Sequence, residues 1–297
     1  MNGRVFMNMQ NKKLNQLLIR CAWLACLFSF AASAETLRVV QGSHPLDEYA
    51  VGALRVALAE LDTPYELDVI REEMTQTRVT EQLRAGKLEV MWLASDQKAE
   101  DSLLPIRFPL LKGLLGYRVC IINPDNQGKF SAVRTIEDLK ALTFGQGYGW
   151  PDVETLRSNG LQVVVTSKYE NLFHMVEGGR FDGFPRGVLE PWVELRSRQE
   201  LGLTVDTNVL LIYRLPFYLF VAPNNPELAQ QLHEGFERAL SNGNFDRYFY
   251  GHEMVKSALD RAKLQERQGV FYLNNPTLSK QTPLDRTDYW FDIQAAE

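Results

Sequence analysis

Tyr117-Arg118-Val119-Cys120-Ile121-Ile122, followed by Asn123-Pro124-Asp125, is the stretch on which the fold turns. It is apolar on both faces except at Arg118, and a turn signal stops it at once. So short a run, closed in this way, reads as a fully buried strand. A second run of the same kind, Phe217-Tyr218-Leu219-Phe220-Val221, ends at Ala222-Pro223-Asn224-Asn225-Pro226. Between the two lies an alternation of strands and helices, and another alternation precedes them. The class is therefore α/β.

The preceding unit begins with Thr36–Val40, a short strand ending near Gly42. Helical spacing follows, with Ala50, Leu54, Ala57, Leu58 and Leu61 on one face until Asp62-Thr63-Pro64 breaks it. Tyr65, Leu67 and Val69 alternate with Glu66 and Asp68 as a half-buried strand. A helix over 77–85 closes at Gly86, and Leu88–Leu93 is the next strand. This succession predicts parallel pairing with right-handed crossovers. In the middle unit Thr135 and Asp138 frame a short helix as a near capping box. Strands are expected at 142–146, 161–166 and 180–184, and helices at 152–158 and 169–177. After Pro226 a long amphipathic helix carries Leu228, Leu232, Phe236 and Leu240. Residues 274–297, rich in Pro, Asn and Thr, read as an irregular tail packed over the surface.

The first 34 residues set the compartment. Lys12, Lys13 and Arg20 precede an apolar core from Cys21 to Ala31, and Ala32-Ser33-Ala34 offers the small-x-small pattern of a signal peptidase site. The run is too short to span a bilayer, which needs about 20 apolar residues. A lipid-bearing Cys26 is the alternative, although Trp23 stands where a lipobox prefers Leu. The expected product begins at Glu35 in the periplasm. Four of the 32 basic residues leave with the leader while all 37 acidic ones stay, so the remainder is more acidic than the chain's net −5. That balance argues against nucleic acid as a partner. Cys120 is the one cysteine after the leader, so no internal disulfide and no cysteine metal cluster can form.

Element order and several short segments together resemble the type II periplasmic solute-binding proteins, especially those related to polar amino acid receptors of ABC importers. The matching segments are Glu81-Gln82-Leu83-Arg84-Ala85-Gly86-Lys87-Leu88-Glu89-Val90, Ile136-Glu137-Asp138-Leu139-Lys140, Gly178-Gly179-Arg180-Phe181-Asp182-Gly183 and Asn225-Pro226-Glu227-Leu228. The resemblance covers residues 36–255 and implies a two-lobed fold with two hinge-crossing strands. Lobe 1 would hold 35–119 and 217–270, lobe 2 would hold 120–216, and 271–297 would be the tail. It further implies a monomer that captures a small polar solute for an ABC permease, without a cofactor. A stand-alone sensor for a membrane signalling partner and an exported enzyme on the same fold are the alternatives. The Thr-x-x-Arg by which such receptors grip an α-carboxylate is replaced here by Ala94-Ser95-Asp96-Gln97-Lys98. Where they place an acid for the α-amino group, this chain reads Phe184-Pro185-Arg186-Gly187. These departures point to an anionic solute.

Arg186 is the leading ligand contact, since a guanidinium presents a planar fork to a carboxylate; a structural ion pair with Glu190 or Asp182 is the alternative. In Gly145-Gln146-Gly147-Tyr148-Gly149-Trp150-Pro151-Asp152, Tyr148 or Trp150 would form an aromatic wall at a helix start. Arg118, inside an apolar strand, must meet either a protein carboxylate or a bound anion. Trp92 and Ser95 stand at the end of a strand, where ligands of open α/β sheets collect. Arg78 and His44 complete the candidates. The four histidines show no metal-ligand spacing, and no nucleophile elbow is present. A binding protein is expected rather than an enzyme.

Overall fold

The computed structural model describes residues 34–293; the leader, with its alternative lipid site at Cys26, lies outside them. Strands β1 (Glu35–Gln41) and β2 (Tyr65–Arg71) pair in one small sheet, and β3 (Met91–Ala94), β11 (Phe217–Val221) and β4 (Leu104–Ile106) form another in that order. The Glu89 N–H donates to the Arg38 carbonyl at 3.0 Å, tying the two small sheets together. A larger sheet runs β12 (Gly269–Tyr272), β10 (Val209–Ile212), β5 (Tyr117–Ile122), β8 (Gly183–Gly187), β6 (Thr143–Gly147), β7 (Gln162–Thr166), with β9 (Thr204–Val205) also on β5.

Helices α1 (Pro45–Leu58), α2 (Gln76–Arg84) and α3 (Gln97–Ser102) belong to the small-sheet side. With the larger sheet go α4 (Gln127–Ala132), α5 (Ile136–Lys140), α6 (Pro151–Ser158), α7 (Tyr169–Glu177) and α8 (Pro191–Arg196). Then α9 (Pro226–Ser241), α10 (Asn244–Gly251) and α11 (Glu253–Ala262) return to the first side. The capping box at α5 is complete, Thr135 and Asp138 each accepting from the other's backbone. Helix α9 lies so close to α1 that a Cβ on Gly235 would stand 2.5 Å from the Ala57 carbonyl oxygen.

Parallel pairing holds for β6 with β7 and with β8, but β11 runs antiparallel to β3 and β4, and β5 antiparallel to β8 and β10. In the small sheet the departure comes from the returning chain, which inserts β11 between β3 and β4, and in the larger sheet the returning β10 lies beside β5. The expected strand at 180–184 lies three residues later, at 183–187, which puts Arg186 within the strand, opposite Val119.

The C-terminal segment differs most from its expectation. Residues 269–272 form an edge strand parallel to β10, and Tyr289, Trp290 and Phe291 are buried. Tyr289 packs edge-on against Phe108, which stacks on Phe236 at 4.7 Å and meets Phe245 at 4.6 Å. Each such ring buried contributes roughly 1.5–3 kcal/mol, so this segment belongs to the core.

Candidate functional site

Between the small sheets and the larger sheet lies a cavity of about 500 Å³. From the first side it is lined by His44, Asp47, Glu73, Trp92 and Lys98, and from the second by Arg118, Trp150, Asp152, Arg186 and Glu190. His44 caps α1, its Nδ1 accepting from the Leu46 N–H at 3.2 Å. Trp92 is held by Asp47, whose Oδ1 accepts from the indole Nε1 at 2.6 Å while Oδ2 accepts from the Gly42 N–H at 3.1 Å. Trp150 starts α6 and stacks on Phe184 with centroids 6.4 Å apart.

The floor is a buried charge network. Arg186 Nη2 donates to Glu190 Oε1 at 2.5 Å and to Glu194 Oε1 at 2.6 Å. Its Cζ lies 5.1 Å from the rings of both Trp150 and Phe184. Glu190 turns its other oxygen to the Gly187 N–H at 2.6 Å, an approach that a side chain at Gly187 would obstruct. Arg118 Nη2 meets Asp152 at 2.5 Å, its Nη1 reaches Glu190 at 3.3 Å, and its Nε donates to the Tyr213 hydroxyl at 3.0 Å. That hydroxyl donates in turn to Asp152. Burial works against the charge on Arg186 and Arg118, but the facing carboxylates outweigh it and hold both firmly protonated. Burial also pushes the Tyr213 hydroxyl and the Cys120 thiol up, so neither ionises near neutrality.

Five of the expected site residues therefore meet at the cavity: His44, Trp92, Arg118, Trp150 and Arg186. Three do not line it. Tyr148 is 75% exposed on the outside of its loop. Ser95 is buried and donates to Glu100 at 2.9 Å. Arg78 extends along the surface toward Glu72 at 3.4 Å. Arg186 has Glu190 and Glu194 as partners rather than a free fork, and Arg118 has Asp152. For Arg186 this is the ion pair with Glu190 weighed as the alternative to ligand contact, and for Arg118 the protein carboxylate weighed beside a bound anion. Sequence reasoning missed Asp47, Asp152, Glu194 and Tyr213. A signal existed for part of this, because Arg186, Glu190 and Glu194 recur every four residues.

His44, Glu190 and Glu194 bring one potential ligating atom each to within 4.8 Å of one another. Arg186 already donates to both of these carboxylates, so a metal ion there would compete with a guanidinium in place.

No family model matches this chain, and no curated protein matches it. Solved structures do match. An ancestral arginine-binding protein bound to glutamine aligns over 74% of this chain and 98% of its own, at 16% identity and a TM-score of 0.53. A structure from glutathione import via GshT and the cystine ABC importer TcyBC of Streptococcus mutans aligns over 74% and 95%, at 13% identity and TM-score 0.51. The ancestral amino acid-binding protein AncCDT-1, a precursor of cyclohexadienyl dehydratase, aligns over 73% and 94%, at 13% and 0.50. The chain has the two-lobed type II periplasmic-binding-protein fold. No helix among the described residues is long and apolar enough to cross a membrane.

Proposed function

We propose that this chain is a periplasmic solute-binding protein that captures a small, amino-acid-like solute between its lobes and presents it to an ABC permease. Lobe 1 is built on the two small sheets and lobe 2 on the larger sheet, so that residues 117–119 and 269–270, expected in lobe 1, go with lobe 2. The observation that carries the reading is one cavity walled by aromatic and charged side chains from both sides. A ligand touching both walls favours the closed arrangement, because only differential affinity shifts such an equilibrium.

The solute we propose carries a cationic group, in place of the anion expected from Arg186 and Arg118. Four carboxylates outside the arginine pairs line the cavity (Asp47, Glu72, Glu73, Asp96) against Lys98, while Arg118 and Arg186 are balanced by Asp152 and Glu190. An anion would meet a wall of its own sign, whereas an ammonium or guanidinium gains Coulombic attraction and the face of Trp92 or Trp150. We read the protein as a receptor rather than a catalyst, since Asp152, Glu190 and Glu194 are engaged by arginines and none stands ready as an acid or base.

A thermal-shift series with arginine, lysine, glutamine, glutamate and succinate tests this. A solute at 100 times its Kd adds about 2.7 kcal/mol to native stability. Arginine or lysine should raise the unfolding temperature and succinate should not. Stabilisation by succinate alone refutes the cationic solute, and no shift with any of these refutes the amino-acid-like class. Solute recovered chemically altered would refute the receptor reading.

A further inference from the structure

After β12 the chain leaves the larger sheet and reaches the small-sheet side within a few residues. Leu273 still pairs with the larger sheet, its N–H donating to the Ile212 carbonyl at 2.8 Å. Asn274 exchanges two hydrogen bonds with Asn159 at the end of α6, at 2.7 and 3.1 Å. Asn275 accepts from the Thr155 hydroxyl of α6 at 3.0 Å and donates to the Arg214 carbonyl at 2.9 Å. Two residues later the Thr277 carbonyl accepts from the Gln97 N–H at the start of α3, at 2.8 Å. Both helices begin at the cavity wall: Trp150, Pro151 and Asp152 from α6, Asp96 and Lys98 from α3.

We propose that residues 274–277 are a strap across one flank of the cleft, holding α6 and α3 together so that the cleft opens only when the strap lets go of one wall. The far end is anchored as firmly as the near one. Phe291 N–H donates to the Lys112 carbonyl at 2.7 Å, the Tyr117 hydroxyl donates to the Phe291 carbonyl at 2.9 Å, and Trp290 is buried. The Asn275 side chain is the pivot, since it bonds α6, the strand crossing at Arg214 and, through the same oxygen, both the N–H and hydroxyl of Thr277. A two-residue link has almost no slack, so the walls cannot part by more than a small distance with both ends attached. Without solute the strap favours the closed arrangement, and it lowers the conformational cost of binding. This inference concerns the ligand-free protein and does not depend on which solute is bound.

The test is hydrogen exchange and small-angle scattering on the ligand-free full chain, comparing wild type with Asn275→Ala. Exchange at the Gln97 amide should accelerate about tenfold or more, the consequence of losing one to two kcal/mol of local closure, and the radius of gyration should rise. Thr155→Val removes the α6 hydrogen bond to Asn275, leaves the Asn274–Asn159 pair and the strap itself unaltered, and should show the same two changes in smaller degree. It supplies the answer if Asn275→Ala does not fold. Unchanged Gln97 exchange in the folded variant overturns the proposal. So does faster exchange with an unchanged radius of gyration, because the strap would then be held by the walls instead of holding them.

Discussion

Arg186 Nε donates to both carboxylate oxygens of Glu194, each at 3.0 Å, across the gap between β8 and α8. The pair is buried, and Glu190 shares the same guanidinium. Removing one member of such a cluster leaves the others as uncompensated buried charges, which costs more than the pair itself contributes. Arg186→Ala should therefore destabilise the fold by about 3 kcal/mol or more, read from urea unfolding at neutral pH. Arg186→Lys should recover only part of that, because an ammonium cannot reproduce the fork. A loss under about 1 kcal/mol for Arg186→Ala would mean that Glu190 and Glu194 find water instead.

The same network sets an acid limit. Burial alone would raise the Glu194 carboxyl, but the charge and hydrogen bonds of Arg186, with the Tyr169 hydroxyl, outweigh it and hold Glu194 below the usual carboxylate range. A group depressed in the folded state contributes stability above its unfolded pKa, about 4.3 for Glu, and loses it as pH falls through the folded value. Asp206 works in the opposite sense: burial pushes its carboxyl up, and Arg267 with the Asn208 and Val209 N–H groups offsets this only in part. Protonation of Asp206 thus begins at higher pH and does not itself cost folded-state stability. Urea midpoints should fall steeply below about pH 4 in wild type and less steeply in Glu194→Gln. Parallel acid limbs for the two proteins would remove Glu194 from the account.

Asp47→Ala tests the opposite wall. Asp47 accepts from the Trp92 indole and from the Gly42 N–H, so it fixes the aromatic surface and the loop after β1 together. Hydrogen bonds to a charged acceptor contribute about 1.5–3 kcal/mol, reduced here by partial exposure. A loss of about 1 kcal/mol is expected, with the Trp92 fluorescence shifted to the red as the ring loosens. Unaltered emission would show that packing alone places Trp92.

Local signals account for what could be read in the chain. Tyr169–Glu177 and Phe217–Val221 have the bounds that their apolar pattern predicts, and Thr135 with Asp138 made the start of α5 visible. Strands β10 and β12 were not legible, being four residues each and defined by pairing with each other across some sixty positions. The cavity residues split the same way. Trp150 and Arg186 stood out by residue type, whereas Asp152 and Glu194 gain their roles only from the guanidiniums that folding brings to them. Tyr148 looked like its neighbour Trp150 in sequence, but Gly149, at φ +81°, turns the loop between them so that one ring faces solvent and the other the cavity.

Gly147→Ala probes that loop directly. A Cβ on Gly147 would lie 2.4 Å from Trp150 Cε2 and 2.6 Å from Cδ2, distances that no relaxation of a methyl group alone can relieve. The indole would have to leave its place beside Phe184 and the Arg186 guanidinium, and the flat side of the cavity would go with it. Overpacking of this kind costs about 1–3 kcal/mol. With 5-fluorotryptophan incorporated, the Trp150 resonance should move while that of Trp290, at the far end of the chain, stays where it is. Gly147→Ser should behave likewise. A Trp150 signal that stays fixed together with an unchanged unfolding midpoint would show that the loop backbone yields first, and that the aromatic wall does not depend on the absence of a side chain at this position.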